Sequence, residues 1–181
     1  MVQLTRSFVL VAAFFHLCWA SKMELELQRF QQVEGQDFIN CQLRVRKYNR
    51  TAPVLKGSME YLEDMDNSYT FEMQTAYSPL GNNQFNEYPM SLKRQNVCDF
   101  LNTTYREYQQ YWKDGTDWIQ VGPEGLCPWP KGIYTFYDYL YTDTIPIPPV
   151  IPSGLWRQTI LFKGPNRQKA VIRFYTKVWY R

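Results

Sequence analysis

Histidine is almost missing from this chain. The one example in 181 residues, His16, lies inside the apolar run FVLVAAFFHLCWA. That run follows Arg6 and suits the hydrophobic region of a secretory leader, but it is short for a membrane span. Cys18 and Ala20 stand where signal peptidase prefers small residues, so residues 1–20 read as a signal peptide and 21–181 as a single mature domain. A chain that sheds this leader has no histidine. That excludes Ser-His-Asp and Cys-His nucleophilic catalysis, histidine-bound zinc, copper or iron, and imidazole acid–base chemistry.

Charge of one sign is equally scarce. Without Arg6, 19 basic residues face 17 acidic ones, a net charge of about +2, which predicts no strongly charged partner and no nucleic acid. Past the leader no stretch of about eighteen residues is apolar and free of charge, so no transmembrane segment is expected in the mature chain. Gly-rich phosphate loops, metal-ligand spacings and nucleophile motifs are absent too. Glu60, Glu63, Asp64 and Asp66 crowd one turn but lack a calcium-loop pattern, and they read as solvated. The expectation is a protein that is not an enzyme, with no catalytic residue, metal or cofactor.

Cysteine is limited to Cys41, Cys98 and Cys127 in the mature chain, which allows one intramolecular bridge and three ways to make it. Cys41 falls on the apolar face of an alternating segment and reads as a buried, inert thiol. A bridge from Cys98 to Cys127 would staple a helix start to an extended segment. It would close a loop of about thirty residues and contribute roughly 3 to 4 kcal/mol in the chain-entropy model. Asn49 and Asn102 begin N-x-T triplets and are the expected glycosylation sites of a secreted chain.

What the sequence has in quantity is alternation. Met23, Leu25 and Leu27 share a face, as do Ile39, Cys41, Leu43 and Val45, then Leu55, Gly57, Met59 and Tyr61, then Tyr69, Phe71, Met73, Thr75 and Tyr77. From Asn96, a possible cap, the period becomes helical through Val97, Phe100, Leu101, Thr104, Tyr108, Tyr111 and Trp112, with Asn102 on the polar side. The link DGTDWIQVGPEG leads into LCPWPKGIY, where Pro128 and Pro130 lack N–H groups and keep the segment at a sheet edge. Three more strands are predicted at 133–141, 155–163 and 168–180, the last two joined by the turn GPNR. Short strands with one helix argue for a mainly β chain, a two-sheet antiparallel sandwich.

NVCDFL, LCPWPKGIY, the Pro-rich IPIPPVIPSG, and the closing LWRQTILF and AVIRFYTKV, in that order, resemble the insect secreted domain-of-unknown-function family that includes the chemosensory B proteins. That family is in turn similar to the ML lipid-recognition sandwiches, such as sterol carriers and the ganglioside activator. The resemblance spans about 85 residues of the C-terminal half. It departs from many ML sandwiches in having no cysteine in 128–181, so no bridge ties the last strand.

The resemblance implies an immunoglobulin-like, ML-type sandwich with an apolar pocket between its sheets, taking a small hydrophobic molecule or lipid such as a pheromone or cuticular lipid. The inward rows supply wall candidates: Leu43, Val45, Met59, Tyr61, Phe71, Met73, Phe136, Leu140, Ile160, Phe162, Ile172 and Phe174. Ordinary core is the plainer reading of any one of them. Trp129, Tyr134, Tyr137 and Trp156 are the rim candidates. Arg44, Arg46, Lys47 and Arg50 form a basic stripe that reads as a solvated strand face. Two alternatives stand beside the carrier: a carbohydrate or glycolipid-headgroup binder using exposed aromatics, and a protein modulator of a cell-surface receptor or channel with a filled core.

Overall fold

A computed structural model describes residues 22–48, 52–140 and 151–181. The expected leader, the Asn49 triplet, Arg50 and most of the Pro-rich stretch lie outside the described residues. Among the described residues nine strands form two antiparallel sheets. The larger takes the order β1-β9-β8-β5-β6, from β1 (Met23–Glu34), β9 (Lys169–Tyr180), β8 (Gly154–Lys163), β5 (Thr70–Ser78) and β6 (Asn86–Asn96). In the smaller, β4 (Pro53–Tyr61) pairs β2 (Ile39–Cys41) and β3 (Arg44–Lys47) along one edge and β7 (Gly132–Leu140) along the other. Tyr61 of one sheet and Phe162 of the other meet edge to face with ring centroids 6.1 Å apart, inside one buried cluster drawn from both sheets. This is a β-sandwich, and among the described residues no helix is long and apolar enough to cross a membrane.

The alternating rows place the inner face as expected, with Leu27, Leu55, Met59, Tyr61 and Phe71 buried. Two local features modify them. The predicted strand through Cys41 and Val45 breaks at Gln42, because β4 passes so close that a Cβ on Gly57 would lie 2.4 Å from the Gln42 carbonyl oxygen. Gly57, at φ +127°, has no Cβ to clash there. Where β7 pairs with β4 the register slips between Leu55 and Gly57 of β4, opposite Asp138 of β7, which is left-handed at φ 62°. This bulge turns Tyr139 inward and Leu140 outward, so the predicted wall residue Leu140 is 47% exposed.

β6 has no counterpart among the strands expected from the pattern. Pro89 and an irregular register against β5 blur its alternation, and its place at the sheet edge is where proline is tolerated. The helix (α1, 97–111) runs as an α turn, a π turn at Leu101–Tyr105, a second α turn and a 3₁₀ turn. Tyr105, one turn beyond Leu101 on the same face, is buried, while Tyr108 is 39% exposed. Asn96 makes no side-chain cap; the Asn67 carboxamide oxygen instead accepts from the Cys98 N–H at 3.2 Å.

Cys98 and Cys127 are joined, with Cα atoms 5.3 Å apart. Between the two prolines Trp129 alone has an N–H, and it pairs reciprocally with Met65, both bonds 2.8 Å. The segment's backbone therefore pairs with Met65 through one residue and joins no ladder.

Candidate functional site

The two sheets and the helix leave a cavity of about 350 Å³ between them. Its size falls at the small end of the roughly 300–1,000 Å³ typical of ligand pockets. Among the expected walls, Leu43, Met59, Tyr61, Phe71, Met73, Phe136, Ile160, Phe162, Ile172 and Phe174 line it. Val45 is half-buried beside the core cluster without lining the cavity, and Leu140 faces outward.

The third wall was not anticipated. Phe100, Thr104, Tyr105, Tyr108 and Tyr111 of α1, with Trp112 just past its end and Trp118 from the acidic link, complete the cavity. The helical face was legible, but the helix reads in sequence as a staple beside the sandwich and the link as a loop. Trp118 reaches inside because α1 and the link are sewn together. The Tyr105 hydroxyl donates to the Ile119 carbonyl. The Gln109 carboxamide donates to the Val121 carbonyl at 3.0 Å and accepts from the Val121 N–H at 2.7 Å.

The same device recurs twice. Gln32 of β1 donates to the Ile39 carbonyl and accepts from the Cys41 N–H at 2.8 Å, joining the two sheets at one edge. Asn102 accepts from the Leu126 N–H at 2.7 Å and donates to the carbonyls of Leu126 at 3.0 Å and Cys98 at 2.8 Å. A carboxamide offers one acceptor and two donors, the groups a neighbouring strand would present, so each clamp satisfies backbone that no ladder reaches. Asn102 therefore does not project freely from the polar side. Its amide nitrogen, the atom a glycan would occupy, is engaged in the fold.

None of the four expected rim residues lines the cavity. Trp129 and Trp156 are both 1% exposed. Trp129 packs on Tyr61 at 4.9 Å between centroids, while Trp156 belongs to a separate small cluster with Ile151 and Val178 and donates to the Pro152 carbonyl at 3.0 Å. Tyr134 is half-buried, its hydroxyl on the Pro130 carbonyl at 2.8 Å. Tyr137 is 59% exposed on the outer side of β7. Alternation cannot tell a buried tryptophan from a rim one; only the packing around it can. Tyr108, 39% exposed and lining the cavity, marks where it meets solvent.

The electrostatics are those of an uncharged interior. No lining residue carries a charge. Burial holds the Tyr61 hydroxyl well above the usual phenol range and raises Tyr105 as well, so both stay neutral. Cys41 is unbridged, and burial pushes its thiol up to about 11, which leaves it protonated and unreactive near neutral pH.

The acidic turn knits the surface. Glu63 accepts from the Tyr69 hydroxyl at 2.6 Å and from Gln168, Asp64 accepts from the Lys131 N–H at 2.7 Å, and Asp66 holds Ser68. Among the described residues no three His, Cys, Asp or Glu side chains gather as a metal-ligand set.

Residues 71–157 match the model of a family described as a protein of unknown function, DUF1091. The match runs from β5 through α1 and the disulfide to the start of β8, so it includes the helical wall of the cavity. No curated protein matches the chain.

Proposed function

We propose that this chain is a secreted, non-enzymatic carrier or presenter of a small hydrophobic molecule, which it holds by burying apolar surface between its sheets. The observation that carries the reading is the cavity: about 350 Å³, lined by aliphatic and aromatic side chains with no charge among them. Each methylene withdrawn from water into such a space contributes about 0.8 kcal/mol before ordering costs. The volume suits one chain rather than two. The resemblance to ML lipid-recognition sandwiches and to insect chemosensory proteins supports the same reading, with a pheromone or cuticular lipid as the ligand class.

Native mass spectrometry of the protein secreted by cultured cells, exposed to a lipid extract, tests it. The expected outcome is a discrete complex that Met73→Trp, which fills the cavity, abolishes. An extract that never yields a complex ends the carrier reading. The carbohydrate alternative loses Trp156 to burial and keeps Tyr137, 59% exposed.

A further inference from the structure

A second hollow, of about 640 Å³, opens beside the cavity where the edge of one sheet faces the edge of the other. β1 contributes residues 28–32 to its lining, and β3 contributes Arg44, Val45 and Arg46. Its chemistry is the reverse of the cavity's. Five glutamines, one asparagine and three arginines line it, with no carboxylate among them. Arg29 is engaged, its guanidinium carbon 4.0 Å from the centroid of the Tyr175 ring. Arg44 and Arg46 are exposed, and among the described residues the carboxylates pair with Lys56, Arg94, Lys169 and Arg181 and with neither of these two. Two apart on one strand, Arg44 and Arg46 project to the same side, roughly 7 Å from each other along it.

The two spaces share Phe30 and Leu43 as lining. β1 pairs with β9 and β3 pairs with β4, so no ladder joins β1 to β3 across this gap. The edges can part there without breaking a backbone hydrogen bond. A chain that ends in an anionic head must leave that head outside the cavity, where a charge would lose its hydration with no cation to replace it. Arg44 and Arg46 offer the replacement, because a guanidinium presents paired N–H donors to a carboxylate.

Building on the carrier reading, we propose that the ligand is a single-chain amphiphile with a carboxylate head, its chain held between the sheets and its head at Arg44 and Arg46, past Phe30 and Leu43. A neutral chain of equal length fills the cavity but gains nothing outside it. A small carboxylate alone meets exposed arginines in water, where an ion pair returns little.

Titration calorimetry of the full secreted chain with decanoate, 1-decanol and acetate, at neutral pH and low salt, tests this. Decanoate should bind roughly three- to tenfold tighter than decanol, the worth of one or two solvent-exposed ion pairs, and added salt should narrow the gap. The paired change Arg44→Gln and Arg46→Gln should bring decanoate down to decanol and leave decanol unchanged; both positions are exposed, so the fold tolerates it. Lys47→Gln, on the same strand but outside the hollow's lining, should keep the preference. Acetate should show no measurable binding. Equal affinities for decanoate and decanol in the unaltered protein overturn this inference and leave the carrier reading standing, as does a preference that Lys47→Gln removes as fully as the arginine pair. Acetate binding as tight as decanoate's overturns it too. Failure of both decanoate and decanol to bind overturns both readings.

Discussion

At one end of the five-stranded sheet, Phe71 and Phe162 meet Phe100, Tyr61 and Trp129, contributed by α1, the other sheet and the double-proline segment. At the other end, Trp156 and Val178 meet Tyr77, Tyr88 and Ile151, a small cluster built from one sheet and the residues leading into it. The first end is tied by the disulfide, the Met65–Trp129 pair and the Asn102 clamp. Between the two, one step along the strands from the cavity residues Met73, Ile160 and Phe174, sit Thr75, Gln158 and Thr176, each with a buried oxygen that has no partner. Stability is concentrated where three parts of the chain converge. The polar row beyond the cavity works against it.

Removing the aromatic hub should break that contrast most severely. Trp129→Ala empties a site packed by Tyr61, Tyr105, Trp118 and Phe162 and should cost about 3–5 kcal/mol in denaturant unfolding. Opening the bridge comes next: the paired change Cys98→Ala and Cys127→Ala releases a loop of sequence separation 29 and should lower stability by about 2–4 kcal/mol, read as a shifted midpoint.

Alkali attacks the same end. The hydrogen bond to the Glu63 carboxylate pushes Tyr69 up to about 12, and burial raises Tyr61 and Tyr105. A phenol whose folded value lies above its unfolded value near 10 lends stability that is complete below pH 10 and lost as pH rises through the folded value. Stability should therefore hold to about pH 10 and fall as pH rises above it, read as a denaturant midpoint that moves down. A midpoint unchanged from about pH 9 to about pH 12 would sink this expectation. Smallest, and opposite in sign, is the change in the polar row: Thr75→Val removes an unpaired buried hydroxyl from a residue 3% exposed and should raise stability by about 1 kcal/mol. A loss there would mean that the hydroxyl has a partner in solution.

Much of this was written in residue order. Seven predicted extended segments, one of which the fold splits into β2 and β3, cover every strand among the described residues except β6; most were read from alternation, which a half-buried strand must show whatever it packs against. The pairing of Cys98 with Cys127 followed from their placement at a helix start and a stiff extended segment. Most of the sheet walls of the cavity followed from the same rows. Leu140 did not, because the Asp138 bulge changes phase without any pattern that alternation could register. Tyr105 shares the helical face of Leu101 at i+4, but alternative positions on that face, Thr104 and Tyr108, fit the period equally well, and only the packing buries Tyr105. Trp118 sat in a loop with no period at all, and it reaches the cavity through contacts made by Gln109 and Tyr105.

The sequence by itself determined which residues turn inward, since alternation and backbone donors are local properties of each segment. It determined that this interior would be uncharged and that the LCPWPKGIY stretch would lie outside a regular ladder, with two donors missing. Only the tertiary structure decided that the inward rows enclose a space instead of filling it. That depends on how far α1 and Trp118 stand from the sheets, a distance set by clamps between segments remote in sequence. It also decided which polar atoms find partners and which are buried with none, as the Thr75 hydroxyl is.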